Sequence, residues 1–290
     1  MHDRALFGPA GNSDSFTAEG NKHTHEAPAW LASRGLDAYE YSGGNGIKGR
    51  PETFAKIGEE ARTHNIALSL HAPYYISLSS VNPETRLKSI VYIKQSLDAA
   101  EAMGADIIVV HTGSTAKLTR EEAIELTKDT LFKTIQELSP INVRIGLETM
   151  GKQNQLGTLD EVIEICKIDP CLYPVVDFGH MNARNRGNLF RDVDDYRLVF
   201  DKIGSELGDR YARYLHCHFS KVEFTDAGEK RHLTFDDSFY GPDFEPFIET
   251  IVKVNLYPRV ICESNGTMAE DAKIMRSYYN SFSCHKYKHQ

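Results

Sequence analysis

No stretch of the sequence approaches the ~18 consecutive apolar residues that a membrane-spanning helix needs. Residues Met1 to Ala10 also lack the apolar core of a secretory leader. No membrane association is expected. A C-x-x-C pair is missing too: Cys166, Cys171, Cys217, Cys262 and Cys284 are scattered and odd in number. That excludes a disulfide framework and points to a reducing, cytoplasmic setting. Positive charge is in deficit, with a formal net charge of −8. A nucleic-acid binder working through overall basicity is thereby excluded, although a local basic face is not. Linkers and low-complexity tracts are also missing. What is present is a chain of 290 residues, 41% of them hydrophobic, enough to build one large core unaided. Residues 1–290 read as a single domain, and a monomer is expected because no exposed apolar stripe stands out.

Short runs rich in β-branched and apolar residues alternate with longer segments of helical period, the rhythm of repeated βα units around a parallel sheet. The strand candidates are Ala5–Pro9, Ala38–Tyr41, Ala67–His71, Ile107–His111, Arg144–Glu148, Tyr173–Asp177, Tyr214–His218 and Arg259–Glu263. Between them lie helical patterns at Pro83–Met103, Arg120–Leu138, Leu159–Lys167, Val193–Leu207 and Phe244–Val254. Thr158 reads as an N-cap and Gly104 as a C-cap. Eight strands make a (β/α)8 TIM barrel, an α/β fold. The polar segment 224–242 is expected to be a long loop over the active face.

The strand ends carry the chemistry. His71, His111, Glu148, Asp177, His218 and Glu263 close the third to the eighth strands in turn, each about one βα unit after the last. In a parallel barrel these ends converge on one mouth, where active sites sit. Carboxylates crowded there would repel one another. Divalent cations relieve that cost, and mixed imidazole and carboxylate ligation suits zinc or manganese. His180, three residues after Asp177, and His232, in the polar segment, are candidates to extend the set. His216 shares a face with His218; it lies deeper, so it reads as a core or supporting residue and His218 as the ligand.

The stretches Leu70-His71-Ala72-Pro73-Tyr74, Val110-His111-Thr112-Gly113, Gly146-Leu147-Glu148-Thr149-Met150, Asp177-Phe178-Gly179-His180 and Cys262-Glu263-Ser264 resemble the endonuclease IV (apurinic/apyrimidinic endonuclease) family. That family lies within the xylose-isomerase-like barrels. The resemblance implies two or three zinc ions: a first on His71 and His111, Glu148 bridging to a second completed by Asp177, His218 and Glu263, and a third on His180 and His232. It also implies a DNA substrate containing abasic sites, nicked on the 5′ side in base excision repair by a metal-activated water that Glu148 orients or deprotonates. Tyr74 and Tyr75 match a pair that wedges into DNA; equally, they could pack the barrel rim.

The chain also departs from that family. Lys230 stands where the family has an aspartate two residues before the last histidine, so a third ion would need Glu229 or Asp226 instead. Ser42-Gly43-Gly44-Asn45-Gly46 replaces an arginine-bearing loop that enters DNA, and Phe219-Ser220-Lys221 replaces an Asn-Asp pair. Lys48, Arg50, Lys152, Arg184, Arg186, Lys221, Lys230 and Arg231 could ring the mouth and meet phosphates. The alternative activity is a sugar isomerase or epimerase holding one metal on Glu148, Asp177, His218 and Glu263, with the two glutamates moving a proton beside a carbonyl.

Overall fold

A computed structural model describes residues 2–286. Among these residues, ten strands and eleven α-helices follow one another in the expected βα rhythm. They are β1 (Leu6–Pro9), α1 (Asp14–Ala18), α2 (Ala27–Ser33), β2 (Ala38–Ser42), α3 (Pro51–Thr63), β3 (Ala67–His71), α4 (Pro83–Met103), β4 (Ile107–His111) and α5 (Arg120–Leu138). Then come β5 (Arg144–Glu148), α6 (Leu159–Cys166), β6 (Leu172–Asp177), α7 (Phe178–Arg184), α8 (Val193–Leu207) and α9 (Asp209–Arg213). The chain continues with β7 (His216–Phe219), β8 (Lys221–Thr225), β9 (Gly228–Leu233), α10 (Phe244–Lys253), β10 (Arg259–Cys262) and α11 (Met268–Lys286).

Eight of the strands form one parallel sheet in the order β1-β10-β7-β6-β5-β4-β3-β2. The sheet curls until its two edges meet. Asp37 N donates to Phe7 O at 3.1 Å and Gly11 N to Glu40 O at 2.8 Å, joining β1 to β2. A glycine is required for that closure, because a Cβ on Gly8 would fall 1.7 Å from Ala38 O. The expected α/β barrel is therefore observed.

Local signals set the helix boundaries. Asn82 accepts from Glu84 N to open α4, with Pro83 in the first turn, and Gly104 closes it at φ 72. Thr119 with Glu122 and Thr158 with Glu161 form capping boxes at α5 and α6.

Alternation along each strand divides the core in two. Phe7, Tyr39, Leu70, Val110, Leu147, Val176, Cys217 and Val260 face outward and are buried under the helices. The inward positions hold two small apolar clusters, Leu6, Ala38 and Ile261 on one side and Ile107, Val109 and Val175 on the other. The rest of the interior is polar: Glu40, Ser69, His216 and His218 are all buried. All five cysteines are free thiols. Among the described residues no helix is long and apolar enough to cross a membrane.

The long loop expected over 224–242 is instead half a hairpin. β8 and β9 pair antiparallel through the turn at Asp226 and Ala227. The alternation Val222, Phe224 carries β8, while β9 is so rich in charge that its pairing does not show in a hydropathy pattern. Its tip is pinned to the segment after β5: Gln153 N donates to Ala227 O at 2.9 Å and Glu229 N to Gly151 O at 3.1 Å.

Candidate metal centre

The parallel register brings the strand ends to one level. Glu148 lies opposite His111, Val109 opposite His71, and Asp177 opposite His218. His71, His111, Glu148 and Asp177 are the last residues of their strands, His218 is one short of the end of β7, and Glu263 is one past β10. His71, His111, Glu148 and Glu263 open into a cavity of about 840 Å³ whose lining also includes Glu40, Tyr74, Lys152, His180, Glu229, His232 and Asn265, while Asp177 and His218 lie buried behind that wall.

The eight expected ligands sort into three overlapping sets. One is His71, His111 and Glu148; the next is Glu148, Asp177, His218 and Glu263; the last is Asp177, His180, His232 and Glu263. Within each set, one ligand atom per residue lies within 4.8 Å of the others. Glu148 Oε2 is 3.4 Å from His71 Nε2 and 3.3 Å from His111 Nε2, while its Oε1 is 3.1 Å from His218 Nδ1. His218 Nδ1 is also 3.4 Å from Glu263, and His180 Nε2 is 3.3 Å from His232 Nε2. A tetrahedral ion with bonds of about 2.0–2.1 Å has ligand-to-ligand edges of roughly 3.3 Å. Glu148 Oε2 and Asp177 Oδ2 are buried with no hydrogen-bond partner among the described residues. Anionic oxygens left so are costly unless a cation meets them. The donor set fits divalent ions.

The far side of four imidazoles is held as well. His71 Nδ1 lies 2.8 Å from Ala72 O and His180 Nδ1 3.0 Å from Thr149 O. A carbonyl only accepts, so these nitrogens carry the hydrogen and Nε2 is left to ligate. His232 Nδ1 lies 2.8 Å from Ser220 Oγ, and His218 Nε2 lies 3.0 Å from Glu40 Oε1. Metal-binding histidines are oriented in this way.

The buried charges also act strongly on one another. Burial opposes ionisation of Glu148, but His218 and the close imidazoles of His111 and His180 outweigh it and hold the carboxyl well below its usual range. Burial, with the carboxylates of Glu148 and Asp177 adding to it, pushes Glu263 up to about 8. His218 is raised despite burial, because Glu263, Glu40 and Glu148 surround it.

Lys230 does not sit at the position of a ligand. The ladder pairs Glu223 with Arg231 and Phe224 with Glu229, so Lys230 is the extra residue of a β-bulge. It sits half exposed at the cavity rim, where it pairs with Glu223 at 2.5 Å. The bulge lets Glu229 and His232, three residues apart, face the cavity together, and Glu229 Oε2 lies 3.5 Å from His180 Nε2. Asp226 is instead 93% exposed and paired with Arg186.

The two tyrosines part company. Tyr74 lines the cavity, with its ring 5.3 Å from that of His111 at 28°. Tyr75 leans on Tyr92 of α4, ring centres 4.7 Å apart, and is not part of the lining. The glycine loop lies flat beneath Tyr74, where a Cβ on Gly44 would meet the ring at 2.2 Å. Most of the expected basic ring is already engaged. Arg184 donates to the carbonyls of Met150, Lys152, Gln153 and Gln155, Lys221 to Asp237 O, and Lys230 and Arg231 share Glu223. Lys48, Arg50 and Lys152 have no acidic partner among the described residues.

Comparison with known proteins adds the following. The chain is 27% identical over 277 residues to the uncharacterized protein MJ0133 of Methanocaldococcus jannaschii, covering 95% of this chain and 97% of that one. It is 32% identical over 178 residues to "Probable endonuclease 4" of Acholeplasma laidlawii, covering 60% of this chain but only 59% of that relative. Among solved structures, a D-tagatose 3-epimerase-like protein superposes with a TM-score of 0.70 at 20% identity, covering 97% of this chain and 99% of the other. Endonuclease IV of Thermus thermophilus gives 0.68 at 17%, covering 96% and 99%. The expected resemblance to endonuclease IV is thus borne out in the relatives. Residues 28–278 match the model of the xylose isomerase-like TIM barrel, and the chain belongs to that family.

Proposed function

We propose that the protein is a metal-dependent phosphodiesterase of the endonuclease IV kind, nicking DNA 5′ of abasic sites. One observation carries this reading: the first two ligand sets share Glu148 and the last two share Asp177 and Glu263, a design for adjoining ions rather than one. His71, His111 and Glu148 would hold the first ion, Glu148, Asp177, His218 and Glu263 the second, and Asp177, His180, His232 and Glu263 the third, with Glu229 beside it. Zinc suits these donors, and manganese is the alternative. Such ions supply a nucleophile near neutral pH and offset charge on phosphate oxygens.

The chain's own groups do the rest. Glu148 orients the attacking water and draws its proton. Tyr74, stacked over His111, screens that wall of the site from solvent and offers a face to a base or sugar; Tyr75 extends the contact at the rim. Lys152, on the cavity wall with no acidic partner among the described residues, meets a substrate phosphate. A cytoplasmic monomer is the setting that fits. A fluorescent oligonucleotide with one abasic analogue, incubated with zinc-loaded protein, is expected to be cut on the 5′ side. Intact substrate at full metal occupancy would overturn the assignment.

A second reading has its own support. The flat glycine loop and the paired mouth cations suit a compact sugar, for which Glu148, Asp177, His218 and Glu263 would hold one ion and the two glutamates would move a proton. One ion per chain and interconversion of ketose epimers would establish it.

A further inference from the structure

Strand β2 delivers a carboxylate into the barrel below the mouth, and the proposed function gives it no role. Glu40 is fully buried. Its Oε2 accepts from Ser69 Oγ at 2.9 Å and lies 2.9 Å from His216 Nε2. Its Oε1 approaches His218 Nε2 at 3.0 Å. A lone carboxylate inside a barrel is costly, so it needs a purpose or a partner. The buried Arg259 of β10 does not serve as that partner: it is turned to Asp106 Oδ1 at 2.7 Å and Leu68 O at 3.0 Å.

We infer that Glu40 is the positioning carboxylate of His218: its Oε1, 3.0 Å from Nε2, holds the imidazole from beneath as an ion pair rather than an aligned hydrogen bond, so that Nδ1 faces Glu148 and Glu263, while His216 and Ser69 hold Glu40 in place. The inference rests on the metal reading of the mouth. Glu40, His216 and His218 also form a compact set of ligand atoms. An ion there would compete for His218, however, because an imidazole that ligates through Nδ1 keeps its hydrogen on Nε2. The three-residue set is therefore a brace and not a fourth ion site. His216, left by its spacing as a core or supporting residue, gains a role through Glu40.

The test uses the full chain at fixed pH, titrated with zinc against a chelator, with cobalt as a spectroscopic stand-in. Outer carboxylates of this kind are worth about 10–100-fold in metal affinity. Glu40→Leu is expected to weaken the ion on His218 by that factor and to shift the cobalt visible bands. Glu40→Gln, which keeps the shape and loses the charge, should fall between. Melting of the metal-free variants checks the fold, since a purely structural role would lower that melting temperature without moving zinc affinity. In a His218→Ala background, Glu40→Leu should cost nothing further. Parent-like zinc affinity in both variants, or an equal loss in the His218→Ala background, would overturn the inference while leaving the mouth's reading intact. A parent protein that takes up no divalent ion overturns that reading first, and the brace with it.

Discussion

At the scale of single residues, Glu148 carries most of the site. One oxygen faces His71 and His111 and the other faces His218, so the side chain is shaped to join two ions. An amide offers one oxygen and no charge. Glu148→Gln is expected to lower the metal content by at least one ion and the nicking rate by roughly 10²–10⁴-fold, the usual worth of a positioned base; metal analysis and single-turnover kinetics read both. Unchanged metal content would show that the carboxylate does not bridge. Tyr74 gives a second case. Stacking on an aromatic ring contributes about 1–3 kcal/mol per base, so Tyr74→Ala should weaken abasic-DNA binding in that range. Tyr75→Ala, with its ring on Tyr92, should weaken it less. Equal losses in an anisotropy titration would count against that order. The six strand-end groups were legible in the sequence because a parallel barrel turns a chain interval of one βα unit into adjacency. Glu40 was not. It lies mid-strand between Tyr39 and Tyr41, and its significance depends on His216 and His218 arriving from across the barrel, which no local pattern reports. A carboxylate at an inward position of a buried strand was the signal available.

At the scale of elements, the hairpin β8–β9 decides the outermost ligand set. Lys230 looked like a cation standing where a carboxylate belongs. The bulge makes it an inserted residue, with Glu229 taking the inward place. Deleting Lys230 should straighten β9 and leave Glu229 and His232 two apart, still on one face. The deletion is therefore expected to keep the third ion, whereas Glu229→Gln should weaken it and spare the other two. Mass spectrometry of the native protein counts ions in both. Loss of the third ion on deletion, with Glu229→Gln unaffected, would remove the bulge from the account. This element was illegible in advance because charges dominate its exposed face, and a bulge breaks the period-two pattern by which a strand is read. The helices were legible for the opposite reason. Their caps, Asn82, Thr119 and Thr158, are side-chain chemistry written locally.

At the scale of the whole molecule, the mouth links folding to pH and to metal. Glu263, ordinarily near 4.5, is pushed to about 8 in the folded chain. Between those values the folded form holds a proton that the unfolded form has released, so metal-free stability falls as pH rises. His218 and His180, raised above 6.5 by the surrounding carboxylates despite burial, act in the same direction: their contribution is full below 6.5 and is lost as pH climbs through their folded values. Glu148 and Glu40, held below 4.5 by facing imidazoles that outweigh burial, act oppositely, and theirs is lost as pH falls through their folded values. His216, lowered to about 4 by burial, and His111 and His232, lowered by burial as well, also act oppositely, costing stability as pH falls below 6.5; where Glu263, His218 and His180 dominate, the metal-free protein is most stable in mild acid. Ion binding needs Glu263 ionised and the imidazoles neutral at their ligating nitrogens, so zinc affinity rises with pH. Ligand binding at a hundredfold excess over Kd adds about 2.7 kcal/mol. The gap in melting temperature between zinc-loaded and chelator-treated protein should accordingly widen from pH 6 to pH 8, by decline of the metal-free form as well as gain of the loaded one. Calorimetry of both forms across that range checks it, and a metal-free form that melts higher at pH 8 than at pH 6 would mean that these buried groups are not paired as the geometry has them.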